Sequence, residues 1–177
     1  MLSKSLFNSM SKRSFSSIFQ YANGGSKVCL SVSQGGNKVG DMVFELYDNH
    51  QPATVENFKA LADNHLAGQE ISSGMAGLGV HVGENAEGES AFGVRLPDED
   101  MSVRHIRRGQ LSMASDGTNA NGSKVLITFG DAEYLNGYNT CFGEIVSGHD
   151  VLDQLEAATT RCGKVGGDFS ISAAGSQ

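Results

Sequence analysis

The fold is decided by residues 111–143, LSMASDGTNANGSKVLITFGDAEYLNGYNTCFG. The stretch opens on an apolar strand start, continues through a polar loop of Asp, Asn, Gly and Ser, and enters a second apolar run over 125–129. A third run follows the pair Asn136-Gly137, which readily adopts the positive φ of a tight turn. The stretch therefore predicts strand, loop, strand, turn and strand.

The residues before this stretch predict a hairpin and a helix. Apolar and polar residues alternate over 28–33, as in a half-buried strand, and Gly35 and Gly36 turn the chain into a returning strand over 39–47. Pro52 is suited to the first turn of the helix that follows. One apolar stripe of that helix is formed by Val55, Phe58, Leu61 and Ala62.

The same residues carry a resemblance to a known family. Residues 111–143 closely resemble the central part of the cyclophilins, which read LSMANxGxNxNGSQFFIxT and then WLDGxHxxFG. Residues 40–61 resemble the cyclophilin pattern GxxxFELFxxxxPxTxENFxxL. The resemblance implies a mainly β fold, a closed eight-stranded antiparallel barrel capped by two α-helices, over residues 27–177. It places the second helix at 148–156 and the closing strand at 169–173.

The resemblance also implies a peptidyl-prolyl isomerase site, and here the sequence departs from the family. Rotation about an X-Pro bond faces a barrier of about 18–20 kcal/mol, and the family lowers it with an Arg that donates to the prolyl nitrogen. Residues 67–90, where the family carries that Arg and a Gln, lose the resemblance, and no arginine occurs between Arg13 and Arg95. Loss of one such donor typically costs about 2.7–4 kcal/mol. No residue is therefore assigned as catalytic, and no cofactor is implied.

Other positions of the site are retained in altered form. Ser115 stands where the family has an Asn whose backbone pairs with the peptide, and Leu126 replaces an aromatic residue of the pocket floor. Tyr134 replaces the Trp that caps the pocket, Leu135 is kept, and Asn139 replaces a His. The resemblance assigns these five residues to a vestigial groove that binds proline-containing peptides weakly.

A basic cluster precedes the central stretch. Arg104, Arg107 and Arg108 form the only such cluster in the sequence of the predicted domain. It is a candidate docking patch for an acidic partner, and the alternative is a solvated loop.

Residues 1–26 predict a mitochondrial targeting segment or an N-terminal anchoring extension. The first forty residues contain no Asp or Glu, and residues 1–21 are rich in Ser with three basic residues among apolar ones. This composition is typical of a mitochondrial transit peptide, and residues 13–16, RSFS, look like a cleavage site. The alternative is a disordered basic tail. The predicted location is the matrix or the matrix side of the inner membrane.

Composition excludes several classes of function. A net charge of −7 and a pI of about 5.1 argue against a direct nucleic-acid partner. No apolar run approaches the roughly 18 residues that a transmembrane segment needs. Cys29, Cys141 and Cys162 have no CxxC spacing, and the five His residues are scattered, so no metal site is predicted.

Three interpretations remain open from the sequence. In the first, the chain is a pseudo-isomerase that serves as an accessory subunit among the protein subunits of a large mitochondrial complex, and its acidity favours the respiratory chain over a ribosomal RNA surface. In the second, it is an active mitochondrial isomerase that assists protein folding. In the third, it is a cytosolic peptide-binding module whose basic tail is not a targeting signal.

Overall fold

The computed structural model describes residues 24–74, 78–83, 89–115, 117–160 and 165–177. These residues form eight strands, two α-helices and a short 3-10 helix. In chain order they are β1 (Lys27–Gln34), β2 (Asn37–Leu46), α1 (Pro52–Asn64), β3 (Ser72–Gly74), β4 (Gly79–Val82), β5 (Gln110–Met113), β6 (Val125–Thr128), the 3-10 helix (Glu133–Leu135), β7 (Cys141–Ser147), α2 (His149–Ala158) and β8 (Phe169–Ser176).

The eight strands build one antiparallel sheet in the order β3-β4-β6-β5-β7-β2-β1-β8. Residues just before β3 bond to β8 and bring the two ends of the sheet together. Ile71 N donates to Phe169 O at 2.9 Å and Ile171 N donates to Gln69 O at 2.9 Å, around an isolated bridge between Glu70 and Ser170. The result is a nearly closed barrel with two helices, which confirms the predicted fold class.

Side chains alternate between the barrel interior and its outer surface, because successive residues of a strand point to opposite faces. On β6, Val125 and Ile127 belong to the central core, whereas Leu126 joins a separate buried cluster with Ala132 and Leu135. The core is therefore inside the barrel, and a second small apolar cluster lies outside it.

Helix α1 packs its predicted stripe into the central core, where Phe58 meets Phe142 edge to face with ring centroids 5.2 Å apart. Its first turn is capped from another segment, since the Glu99 carboxylate accepts from Ala53 N at 3.1 Å and Thr54 N at 2.7 Å. Helix α2 follows Gly148, whose φ of 88° suits glycine, and buries Val151, Leu152 and Leu155. Within the described residues, no helix is long and apolar enough to span a bilayer.

Two regions differ from the expectations drawn from the sequence. Strands β3 and β4 lie in the stretch where the resemblance is lost and were not predicted, and a 3-10 helix precedes the predicted turn at Asn136-Gly137. Residues 1–23 of the predicted targeting segment lie outside the described residues, so the segment remains a prediction.

Candidate functional site

An open cavity of about 230 Å³ lies on the outer surface of the barrel, above β4 and β6. The loop after β5 forms one side of it, and the 3-10 helix and the loop that follows form the other. The lining residues are His81, Ala114, Ser115, Lys124, Leu126, Leu135 and Asn139. We call this cavity the groove.

The floor of the groove is apolar. Leu126 and Leu135 line it, are each only 2% exposed, and pack with buried Ala132 beneath it. A rigid, apolar ring such as that of proline can displace water from this floor and gain the free energy of burial. The groove can therefore hold a proline side chain without an aromatic floor.

One rim of the groove is backbone that continues past the end of β5. Ala114 N still donates to Lys124 O at 3.0 Å, but at Ser115 the backbone N–H and C=O have no partner among the described residues. The Asn139 amide donates to Met113 O at 2.7 Å and ties the end of β5 to the segment that precedes β7. An extended peptide can pair with the open backbone at Ser115, as strands do when they add to a sheet edge.

The structure brings together four of the five residues assigned to this site. Ser115, Leu126, Leu135 and Asn139 line the groove. Tyr134 lies on the same 3-10 helix as Leu135, is 43% exposed, and is not among the lining residues. Partial burial raises the pKa of its hydroxyl, so it stays protonated near neutral pH.

Sequence reasoning missed His81 as a groove residue. It lies on β4 directly opposite Leu126 of β6, and its neighbours Val80 and Val82 point into the core. The alternation of Val80, His81 and Val82 was the available signal, but a run this short between glycines did not predict a strand. Lys124, which borders the loop after β5, is the second polar residue that sequence reasoning did not assign to the groove.

A buried polar chain holds the 3-10 helix behind the groove. His105 is fully buried, and the side-chain oxygen of Asn136 accepts from its backbone N–H at 2.8 Å and from ring Nδ1 at 3.1 Å. The backbone N–H can only donate, so Asn136 presents its oxygen and Nδ1 carries the ring proton. Nε2 then accepts from the Ser112 hydroxyl at 2.8 Å. Burial lowers the pKa of His105, which favours this neutral ring.

A second cavity, of about 400 Å³, adjoins the groove. It shares Ser115 and Asn139 with the groove and is otherwise lined by Asp98, Met101, Gly117, Thr118, Gly137 and Tyr138. Ser115 and Asn139 therefore lie between two adjoining depressions. A peptide that crosses Ser115 reaches both of them.

The three arginines of the candidate docking patch each bond to a carboxylate of this chain. Arg104 pairs with Glu133 at 2.8 Å, Arg107 with Glu144 at 2.7 Å, and Arg108 with Asp153 at 2.6 Å and also with Glu156. The carboxylates offset the positive charge that the sequence places there. Within the part of the chain that the structure describes, neither cavity is lined by an arginine.

The structure defines a nearly closed antiparallel β-barrel protein with an apolar groove on its outer surface. The family model for the cyclophilin type peptidyl-prolyl cis-trans isomerase/CLD matches residues 29–175. The chain is also 38% identical to the peptidyl-prolyl cis-trans isomerase cypE of Dictyostelium discoideum over 128 residues, which cover 69% of this chain and 82% of that protein. The chain belongs to the cyclophilin-type peptidyl-prolyl cis-trans isomerase family.

Proposed function

We propose that this chain binds proline-containing segments in the groove without catalysing their isomerisation efficiently, and that it serves as an accessory subunit of a large mitochondrial complex. The observation that carries the proposal is the composition of the groove. Its apolar floor and the open backbone at Ser115 are suited to a proline peptide, but none of the described residues that line it is an arginine.

The missing guanidinium bears directly on catalysis. An efficient catalyst must place a donor where charge develops as the prolyl amide twists, and one such donor is typically worth about 10²–10³ in rate. The segments 75–77 and 84–88 do not supply the donor either, because they read MAG and ENAEG. Lys124 is a point charge on a flexible stem, and it does not reproduce the rigid fork of an arginine.

An isomerisation assay on a prolyl peptide tests the catalytic part of the proposal. The full chain and an active cyclophilin are assayed in parallel at equal concentration. Because one donor is worth about 10²–10³ in rate, we expect this chain to be slower by at least about 100-fold. A rate within about tenfold of the active cyclophilin would overturn the proposal and favour the alternative, an active mitochondrial isomerase that assists protein folding.

The mitochondrial part of the proposal is supported by the composition of residues 1–21 and is tested separately. The full chain is incubated with isolated mitochondria, and a chain that begins at Gly24 serves as the matched control. We expect only the full chain to become protected from added protease, because the transit-peptide composition is missing from the control. Equal protection of both chains, or of neither, would contradict the targeting role.

Native electrophoresis of the solubilised organelle then tests the accessory-subunit role. Because phosphates repel an acidic protein, the net charge of −7 favours a respiratory-chain complex over a ribosomal RNA surface as the partner. We expect the chain to migrate with a large assembly rather than at its own mass of 18.7 kDa. Migration at its own mass, with no partner retained after gentle solubilisation, would overturn this role.

A further inference from the structure

The second cavity carries a negative charge at its wall. The Asp98 carboxylate accepts from Asn119 N at 2.8 Å and from the Asn121 amide at 2.8 Å, which fixes its position. These two bonds leave acceptor capacity on its oxygens. Among the described residues, no cation lies within ion-pair distance of Asp98.

The other described residues that line the second cavity are uncharged, and they combine apolar and small residues with the polar side chains of Ser115, Thr118 and Asn139. Met101 and Tyr138 line it together with Gly117 and Gly137, and Tyr138 is 75% exposed. A polarisable thioether and an aromatic ring can pack along the methylene stem of a long side chain, and the ring also attracts a cation. Met101 and Tyr138 for the stem, with the Asp98 carboxylate for the charge, match the chemistry of a lysine or an arginine.

The net charge of the rest of the molecule also favours a basic ligand. Residues 1–23 carry three of the 13 basic residues and none of the 20 acidic ones, so the rest of the chain has a formal charge of −10. A field of this sign draws basic peptides toward the domain. The second cavity adjoins the groove at Ser115 and Asn139, so only a residue on that flank of a bound proline reaches Asp98.

We propose that the second cavity is a subsite for a basic side chain on one flank of the proline that the groove holds. This inference rests on the proposed peptide-binding function and adds the class of peptide to it. The bound segment crosses Ser115 and Asn139, places its proline over Leu126, and directs the basic side chain to Asp98. The partner is then a proline-containing segment with Lys or Arg on that side alone.

Three acetylated and amidated pentapeptides test the inference: Ala-Lys-Pro-Ala-Ala, Ala-Ala-Pro-Lys-Ala and Ala-Ala-Pro-Ala-Ala. Their dissociation constants for the full chain are measured by NMR titration. We expect one lysine peptide to bind about fivefold more tightly than the neutral peptide, which is the upper range for a partly exposed charge pair. The other lysine peptide should bind no better than the neutral one. Added salt should reduce the preference of the wild-type chain for that lysine peptide over the neutral one, because salt screens the charge pair. This measurement requires no variant.

The variant Asp98→Asn should abolish the preference, and Glu70→Gln is the matched control. Glu70 is exposed and outside both cavities, and its substitution changes the net charge equally. A loss of affinity for all three peptides in Asp98→Asn would indicate that the substitution disturbs the loop. In that case the wild-type chain tests the subsite, which predicts that added salt weakens its preference for one lysine peptide. Equal, salt-insensitive binding of the three peptides by the wild-type chain overturns the subsite but keeps the groove function. Failure to bind any of them overturns both.

Discussion

Replacement of Asn136 by Ala is expected to lower the free energy of unfolding by about 2 kcal/mol. The change removes the oxygen that accepts two hydrogen bonds from His105, which is 0% exposed. The backbone N–H of His105 then has no acceptor, and a buried, unsatisfied donor costs about 1–3 kcal/mol. The ring recovers part of its own loss, because its proton can move to Nε2 and be donated to Ser112 Oγ, 2.8 Å away.

The measurement is a pair of urea unfolding curves at pH 7.5, followed by circular dichroism. In a thermal melt of the same two proteins, a cost of about 2 kcal/mol should lower the melting temperature by about 4–8 °C in a chain of this size. Asn136 has φ of −63° and ψ of 127°, which Ala adopts without strain, so backbone effects do not confuse the result. The matched control is Asn64→Ala, which removes an exposed amide bond to Ala60 O and should cost less than about 0.5 kcal/mol.

Equal effects of Asn136→Ala and Asn64→Ala would refute the reasoning. They would mean that water reaches His105, or that the loop behind the groove is held by other contacts. A large effect of Asn136→Ala without a change in the denaturant dependence would confirm that the native contact is the source of the loss.

Further predictions concern the groove floor, the first helix and two buried titratable groups. Leu126→Ala should lower stability by about 2–4 kcal/mol in urea unfolding, since the side chain is 2% exposed, and should abolish proline-peptide binding in the NMR titration. Glu99→Ala should cost about 1 kcal/mol, because α1 loses its cap; an unchanged unfolding midpoint would contradict this. Burial raises the pKa of Cys141 to about 12, so iodoacetamide at pH 8 should label it only after unfolding, as read by mass spectrometry. Because the pKa of His105 is lowered in the folded chain, the unfolded chain binds a proton at this residue more readily. The free energy of unfolding of the wild-type chain should therefore fall as the pH drops below about 6.5, and the part of this fall that His105 causes should be absent in His105→Gln.

The barrel could be predicted because its signals are local. The alternation around β1 and β2, the stripe that begins at Val55 and the long central stretch each specify an element without knowledge of distant residues. Strand β4 could not be predicted in the same way. It has four residues, begins at Gly79 and is followed by Gly83, and only pairing with β3 and β6 fixes its orientation.

The functional surface depends on residues that are distant in the chain, and this limited its prediction. The sequence alone suggests that Arg108 is an exposed positive charge. In the structure, α2 places Asp153 and Glu156 beside it, although they are 45 and 48 residues away in the sequence. In the same way, His105 and Asn136 both lie in loops that look solvated, and 31 residues separate them. The sequence shows which charges are present, but it does not show which of them are already neutralised.

The alternation along β6 explains how a barrel of this family can keep its fold while its site changes. Val125 and Ile127 face the central core, whereas Leu126 faces the separate cluster under the groove, so a substitution of Leu126 costs packing energy in that cluster and not in the barrel interior. The same division holds on β4, where Val80 and Val82 are core residues and His81 lines the groove. Groove positions can therefore vary without disturbing the barrel interior. For this reason, the family and the fold follow from the interior residues, while the activity has to be argued from the outward-facing ones.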